Sequence, residues 1–139
     1  MINSRYIIEK KLGEGRSKVF LCRDIEASGK ELAIKILAFT GAEQNEINAF
    51  RDEYFILKNL KHPHIINVYE LGYVVTSEDE GISYGSYFFT MDYFPGKSLD
   101  EVKVEPTNLN SLITQICSVL FYLHQSNYIF YDLKPENIL

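Results

Sequence analysis

The sequence predicts an α+β domain built on an antiparallel sheet, and three observations lead there. Short apolar runs of strand length, separated by Gly, Ser, Asn and Asp, fill the first quarter of the chain. Apolar residues recur at helical spacing in two long stretches, one before residue 60 and one after residue 105. The resulting order is strands, helix, strands, helix, which suits a sheet and helices segregated in sequence.

Taken in order, residues 6–12 read as a strand that ends in the loop Gly13-Glu14-Gly15-Arg16-Ser17-Lys18. Residues 19–23 restart strand character, and residues 25–31 turn at Ser28-Gly29. Residues 32–37 form a third strand, apolar except for Lys35. Between residues 42 and 60, Ile47, Phe50, Tyr54 and Leu57 recur at steps of three, four and three, which predicts a helix with one buried stripe. His62-Pro63-His64 stops it, and strand character resumes over residues 65–75. Residues 77–81 read as an acidic, solvated hairpin loop, and residues 87–93 as another strand. Pro95-Gly96-Lys97-Ser98 makes a turn before a short helix over 99–102. Leu109, Leu112, Ile113, Ile116, Leu120 and Leu123 mark a second long helix with a core-facing side.

The composition is that of an ordinary globular chain, with 46% hydrophobic and 24% charged residues, and 139 residues can bury a sizeable core. A net charge of −5 argues against nucleic acid as a main partner, because a phosphate-binding surface needs clustered Lys and Arg. Cys22 and Cys117 lie far apart in apolar runs without a C-x-x-C pattern and read as reduced core residues. Met1 runs into a polar stretch rather than an apolar leader, and the tract 109–123 is too polar to span a bilayer, so a cytoplasmic location is expected.

Three groups carry candidate chemistry. Gly13-x-Gly15 sits between two strands; such a pair occurs in many hairpin turns, and its functional use is backbone N–H groups that approach phosphates. Lys35 in an apolar strand must reach solvent or find a counter-charge, and Glu53, beside the helix stripe, is the natural candidate. Asp132, Lys134 and Asn137 stand at fixed spacing just after Ile129-Phe130. Turn chemistry accounts for each of them singly, but three such groups in one stretch are hard to obtain from turns alone.

Tyr131-Asp132-Leu133-Lys134-Pro135-Glu136-Asn137 resembles the catalytic loop of protein kinases, whose Asn follows the Asp by five residues. Gly13-x-Gly15, Leu32-Ala33-Ile34-Lys35, Glu53, His62-Pro63-His64-Ile65 and Met91-Asp92-Tyr93 precede it in the order of that family. The resemblance covers essentially the whole chain and is to the eukaryotic-type serine/threonine protein kinase domain. It implies a small lobe with a five-stranded antiparallel sheet and one helix over about 1–91, then a hinge and the first helices of the large lobe over 92–139. It further implies ATP and Mg2+ as cofactors and a protein substrate. Lys35 would contact the α- and β-phosphates and pair with Glu53. Gly13 and Gly15 would cover the phosphates, and Leu12, Val19 and Ala33 would sandwich the adenine. Met91 would back the pocket, and the backbone of Asp92 and Phe94 would bond the adenine edge. Asp132 would be the catalytic base, Lys134 the charge stabiliser and Asn137 the metal ligand. Lys134 resembles the serine/threonine subgroup. A pseudokinase, holding nucleotide or nothing and serving as an interaction module, is the alternative.

The chain departs from the family pattern in three places. The third glycine of the loop is missing: Lys18 stands in its place, or the loop is one residue short with Val19 as the family's valine, so the cover over the phosphates should be stiffer or smaller. Phe130-Tyr131 replaces the usual His-Arg, and Tyr131 carries no cation to receive an activation-loop phosphate, so activity is expected not to depend on one. The Asp-Phe-Gly segment does not occur in these residues, so the chain is expected to be a fragment that is inactive by itself and that associates through the apolar face of its second long helix.

Overall fold

The computed structural model describes residues 1–37 and 43–139. They form two compact units, Met1–Lys61 with Ile66–Tyr93, and His62–Ile65 with Phe94–Leu139.

The first unit is a sheet and a helix. Strands β1 (Tyr6–Glu14), β2 (Ser17–Asp24), β3 (Lys30–Leu37), β4 (Val68–Tyr73) and β5 (Tyr87–Asp92) pair antiparallel in the order β1-β2-β3-β5-β4. Alternation along the central strands assigns each side chain to one of two faces. Leu32, Ile34 and Ile36 of β3 and Phe88 of β5 join Phe20, Cys22 and Tyr6 on one face. Leu37, Phe89 and Met91 lie on the other, against Ile47, Phe50, Tyr54 and Leu57 of helix α1 (Gln44–Asn59). The Phe89 ring is fully buried between Phe50 and Tyr54, at centroid distances of 5.0 and 5.9 Å. The apolar stripe of α1 is the one its spacing predicts. Its expected start at Ala42 lies outside the described residues; the helix begins after Glu43, whose N–H donates to Glu46 Oε2 at 3.1 Å.

The face opposite α1 is closed by segments that the sequence does not mark as core. Ile2, with no exposed surface, bridges Tyr6 and Ser77, and Ile82 and Val74 pack beside it. Asn3 Oδ1 accepts the N–H groups of Val75 (2.7 Å) and Thr76 (3.2 Å), and the Met1 amine meets Glu78 at 3.1 Å. The loop over 77–81 is solvated as expected, with Glu78, Glu80 and Gly81 exposed; Ser77 also bridges Ile2, and the next residue, Ile82, enters the core, because this face of the sheet would otherwise meet water. Arg5 donates to both oxygens of buried Asp24 (2.9 and 2.8 Å) and to Glu70 (2.7 Å), which also accepts from the Tyr6 hydroxyl (2.8 Å). The Arg5 hydrogen bonds hold the Asp24 carboxyl below its usual range despite burial.

Two strand expectations change. The loop expected over residues 13–18 is mostly strand: Gly13 pairs with Val19 and Glu14 with Lys18, leaving Gly15 and Arg16 as the turn. Polar side chains there carry no apolar alternation, so pairing through the backbone is invisible to a hydrophobic pattern. The strand expected over 65–75 contracts to β4, interrupted by a bulge between Val68 and Leu71. Gly72 of β4 sits against the Phe88 ring, where a Cβ would come within 2.8 Å. At the β2–β3 turn, Ser28 and Gly29 both take positive φ, 56° and 76°.

The second unit holds the 3-10 turn η1 (Leu99–Glu101), helix α2 (Pro106–Gln125) and the 3-10 turn η2 (Pro135–Asn137). Pro106 opens α2, where its missing N–H costs nothing. Residues 62–65 belong to this unit: His62 Nε2 lies 3.1 Å from Ser118 Oγ, and its ring stacks on Tyr122. Leu123 is the buried apolar residue of α2, while Leu109, Ile113 and Phe121 are exposed. Cys117 is exposed as well, which corrects its reading as core; Cys22 is buried, and burial pushes its thiol up to about 12. No helix among the described residues is long and apolar enough to cross a membrane.

Candidate functional site

The candidate residues divide between the two units. In the first, β3 and α1 bring Lys35 and Glu53 together. Lys35 shares the α1-facing side of β3 with Leu37, and Glu53 lies one turn from Phe50. Lys35 Nζ sits 2.6 Å from both Glu53 oxygens, with the Phe89 and Phe50 ring centroids at 5.6 and 6.0 Å. Two of the three ammonium hydrogens suffice for that contact, so one donor remains for another anion. The Lys35 side chain is 23% exposed and that of Glu53 42%.

Val19 pairs in register with Lys35, and Ala33 with Met91. Residues directly opposite in antiparallel strands point to the same face, so Val19, Ala33 and Met91 line the Lys35 side of the sheet. Leu12 lies in the irregular part of β1 and is 39% exposed. Around both Gly13 and Gly15 a Cβ would meet nothing within 4 Å. The space beside their backbone is open, while the Gly15 N–H itself donates to the Ser17 carbonyl at 3.0 Å. Lys18 Nζ bonds the Gly81 carbonyl at 2.8 Å, tying this hairpin to the loop that carries Ile82.

Asp92, at the end of β5, is held by a cluster that the sequence gives no signal for. Its Oδ2 accepts from Asn67 Nδ2 (2.8 Å) and the Asn67 N–H (3.3 Å), and its Oδ1 accepts from the Tyr69 hydroxyl. Lys30 Nζ donates to that hydroxyl at 2.9 Å. Burial would raise the Asp92 carboxyl, but the bonds from Tyr69 and Asn67 outweigh it and hold it low. The Asp92 N–H donates to the Asn67 carbonyl at 3.0 Å, so its own carbonyl is what its backbone can offer a base edge.

In the second unit, α2 ends at Ser126, Asn127 takes a positive φ of 61°, and the chain runs irregularly to η2. Asn137 Nδ2 donates to the Asp132 carbonyl (2.8 Å) and to its Oδ2 (2.9 Å), and Lys134 Nζ stands 3.3 Å from the same oxygen. The η2 turn sets this spacing, with the Asn137 N–H bonded to the Lys134 carbonyl at 3.0 Å. The Asn137 hydrogen bond, then that of Lys134, lowers the Asp132 carboxyl, so it is ionised at neutral pH and can accept a proton or a hydroxyl hydrogen bond. With its amide nitrogen turned to Asp132, Asn137 has its Oδ1 left for a cation. No group of three or more His, Cys, Asp or Glu among the described residues could cage a metal. A single amide oxygen suits a hard cation that completes its shell with water and phosphate. Phe94, also in this unit, is 52% exposed.

The protein kinase domain family matches residues 6–139. Serine/threonine-protein kinase PrkC of Bacillus subtilis is 35% identical over 99% of this chain, and this chain covers 21% of it. Serine/threonine-protein kinase cds1 of Schizosaccharomyces pombe is 31% identical over 99% of the chain, which covers 30% of that protein. Myosin light chain kinase family member 4 of Mus musculus is 32% identical over 99% of the chain, covering 35%. The chain thus spans between about a fifth and a third of the length of these curated relatives. With the family matched over nearly its whole length, and with a five-stranded antiparallel sheet followed by helices, this chain belongs to the protein kinase domain family.

Proposed function

We propose that the protein carrying this domain transfers the γ-phosphoryl group of ATP to a serine or threonine hydroxyl of a protein substrate. The observation that carries this reading is the Asp132–Lys134–Asn137 constellation, in which one carboxylate oxygen meets an ammonium and a carboxamide within 3.3 Å. Asp132 orients the attacking hydroxyl and takes its proton as the hydroxyl oxygen bonds the γ-phosphorus and the bond to the bridging oxygen breaks, with ADP as the leaving group. Lys134 balances charge on the transferring oxygens. Asn137 Oδ1 would hold a magnesium ion, which when bound supplies charge neutralisation on the phosphates. Lys35, steered by Glu53, directs its remaining N–H to the phosphates, and the turn carrying Gly13 and Gly15 covers them. Val19, Ala33 and Met91, with Leu12, supply an apolar bed for the base, and the backbone of Asp92 and Phe94 bonds its edge. The serine/threonine class is supported by the relatives named above and by Lys134.

The test uses two variants. Lys35→Met is expected to weaken MgATP binding at least tenfold. Asp132→Asn should leave binding within twofold and abolish transfer in the protein carrying the domain. Transfer by Asp132→Asn at the unaltered rate would overturn the assignment of the base. Nucleotide binding with no transfer to any protein would favour the pseudokinase reading.

A further inference from the structure

The cluster around Asp92 lies outside the residues that carry the chemistry, yet it holds the strand end nearest the proposed base contact. Four donors from three residues converge there. Asn67 gives both its side-chain amide and its backbone N–H to one Asp92 oxygen, and Tyr69 gives its hydroxyl to the other. Lys30 donates to the Tyr69 hydroxyl at 2.9 Å, lies 4.1 Å from that ring's centroid and stands 4.0 Å from Asp92 Oδ1. The hydrogen bonds thus run in one direction, from ammonium to phenol to carboxylate, and such chains strengthen each member. The backbone closes the arrangement, because the Asp92 N–H donates to the Asn67 carbonyl.

Two features separate this cluster from ordinary strand-end polar contacts. First, β5 needs no such lock for its own pairing, since Asp92 is already in register with Leu32 of β3. Second, the bulge between Val68 and Leu71 sends the consecutive residues Tyr69 and Glu70 to polar partners, Tyr69 to Asp92 and Glu70 to Arg5. A bulge re-aims a side chain at the expense of a ladder bond.

We propose that Lys30, Asn67 and Tyr69 are positioning residues that fix the backbone of Asp92 and so set the affinity for the base of the bound nucleotide, independently of its phosphates. This rests on the nucleotide reading above. Asp92 is the last residue of β5, so beyond its pairing with Leu32 the carboxylate bonds help fix the direction of its carbonyl, and releasing them lets that acceptor turn out of line with an exocyclic amine. Lys35 pairs with Phe89, three positions along the ladder from the Asp92–Leu32 pair, so its phosphate contacts stay as they are.

The experiment titrates adenosine, MgATP and magnesium tripolyphosphate into the unaltered chain, Tyr69→Phe, Lys30→Met and Lys30→Arg, with the melting temperature of each recorded. Tyr69→Phe keeps the ring and loses only the hydroxyl. It is expected to weaken adenosine and MgATP about fivefold each, equivalent to about 1 kcal/mol, while tripolyphosphate binds as before. Lys30→Met should act in the same direction and Lys30→Arg should restore affinity. Equal losses for all three ligands would mean a merely structural role and would overturn the proposal, as would no loss for any. Failure of the unaltered chain to bind any of the three would instead remove the nucleotide reading, and the proposal with it.

Discussion

Neutralising Glu53 should destabilise the first unit more than neutralising Lys35, although the two form one ion pair. The asymmetry follows from their surroundings. The Lys35 side chain is 23% exposed and its ammonium stands beside the Phe50 and Phe89 rings, whereas Glu53 is 42% exposed. In Lys35→Met, the orphaned carboxylate turns to water, and the new side chain gains apolar contact with the rings. In Glu53→Gln, the ammonium stays among the rings with only a neutral amide beside it. Exposed ion pairs contribute roughly 0–1 kcal/mol and hydrogen bonds to charged groups about 1.5–3 kcal/mol. A pair of intermediate exposure falls between, so we expect Glu53→Gln to cost about 1–2 kcal/mol and Lys35→Met no more than about 1 kcal/mol. The double variant should resemble Lys35→Met, giving a coupling equal to the Glu53→Gln cost, about 1–2 kcal/mol. Urea unfolding followed by circular dichroism measures this as shifts in midpoint at constant slope. A Glu53→Gln midpoint at or above that of Lys35→Met, or a coupling below about 0.3 kcal/mol, would refute the account of the pair.

Truncating Ile2, which is fully buried beside Tyr6 and Val74, should cost about 2–5 kcal/mol, read as a lowered urea midpoint. Acid should destabilise the chain through Asp24: Arg5 depresses its folded pKa, so the unfolded chain protonates first, and the stability it contributes above about pH 4 is lost as pH falls through the folded value. Asp24→Asn should remove that portion of the pH dependence, and an unchanged stability–pH curve would contradict it. Lys18→Met, by cutting the bond to the Gly81 carbonyl, should speed amide exchange around Gly15 and Arg16; equal exchange would mean the tether does not restrain the hairpin. Sedimentation should show concentration-dependent association through Leu109, Ile113 and Phe121 of α2, and a monomer at every concentration would count against it.

The amino-acid sequence alone determined most of the elements and nominated the candidate site residues. Leu32-Ala33-Ile34-Lys35-Ile36-Leu37 reads as a strand because its neighbours are apolar on both faces, and the steps from Ile47 to Leu57 read as a helix because one face of 3.6 residues per turn must be buried. Asp132, Lys134 and Asn137 are legible because they act across five residues, and local chain geometry suffices to join them. Apart from Lys35 and Glu53, only the tertiary structure decided which distant groups meet. Ile2 against Ser77, Arg5 against Asp24 and Glu70, and Lys30 and Tyr69 around Asp92 are long-range pairings. Strand order and a one-residue bulge create them, and neither leaves a periodic trace in the residues themselves. Local periodicity reports which side of an element avoids water; it carries no record of what arrives to cover that side.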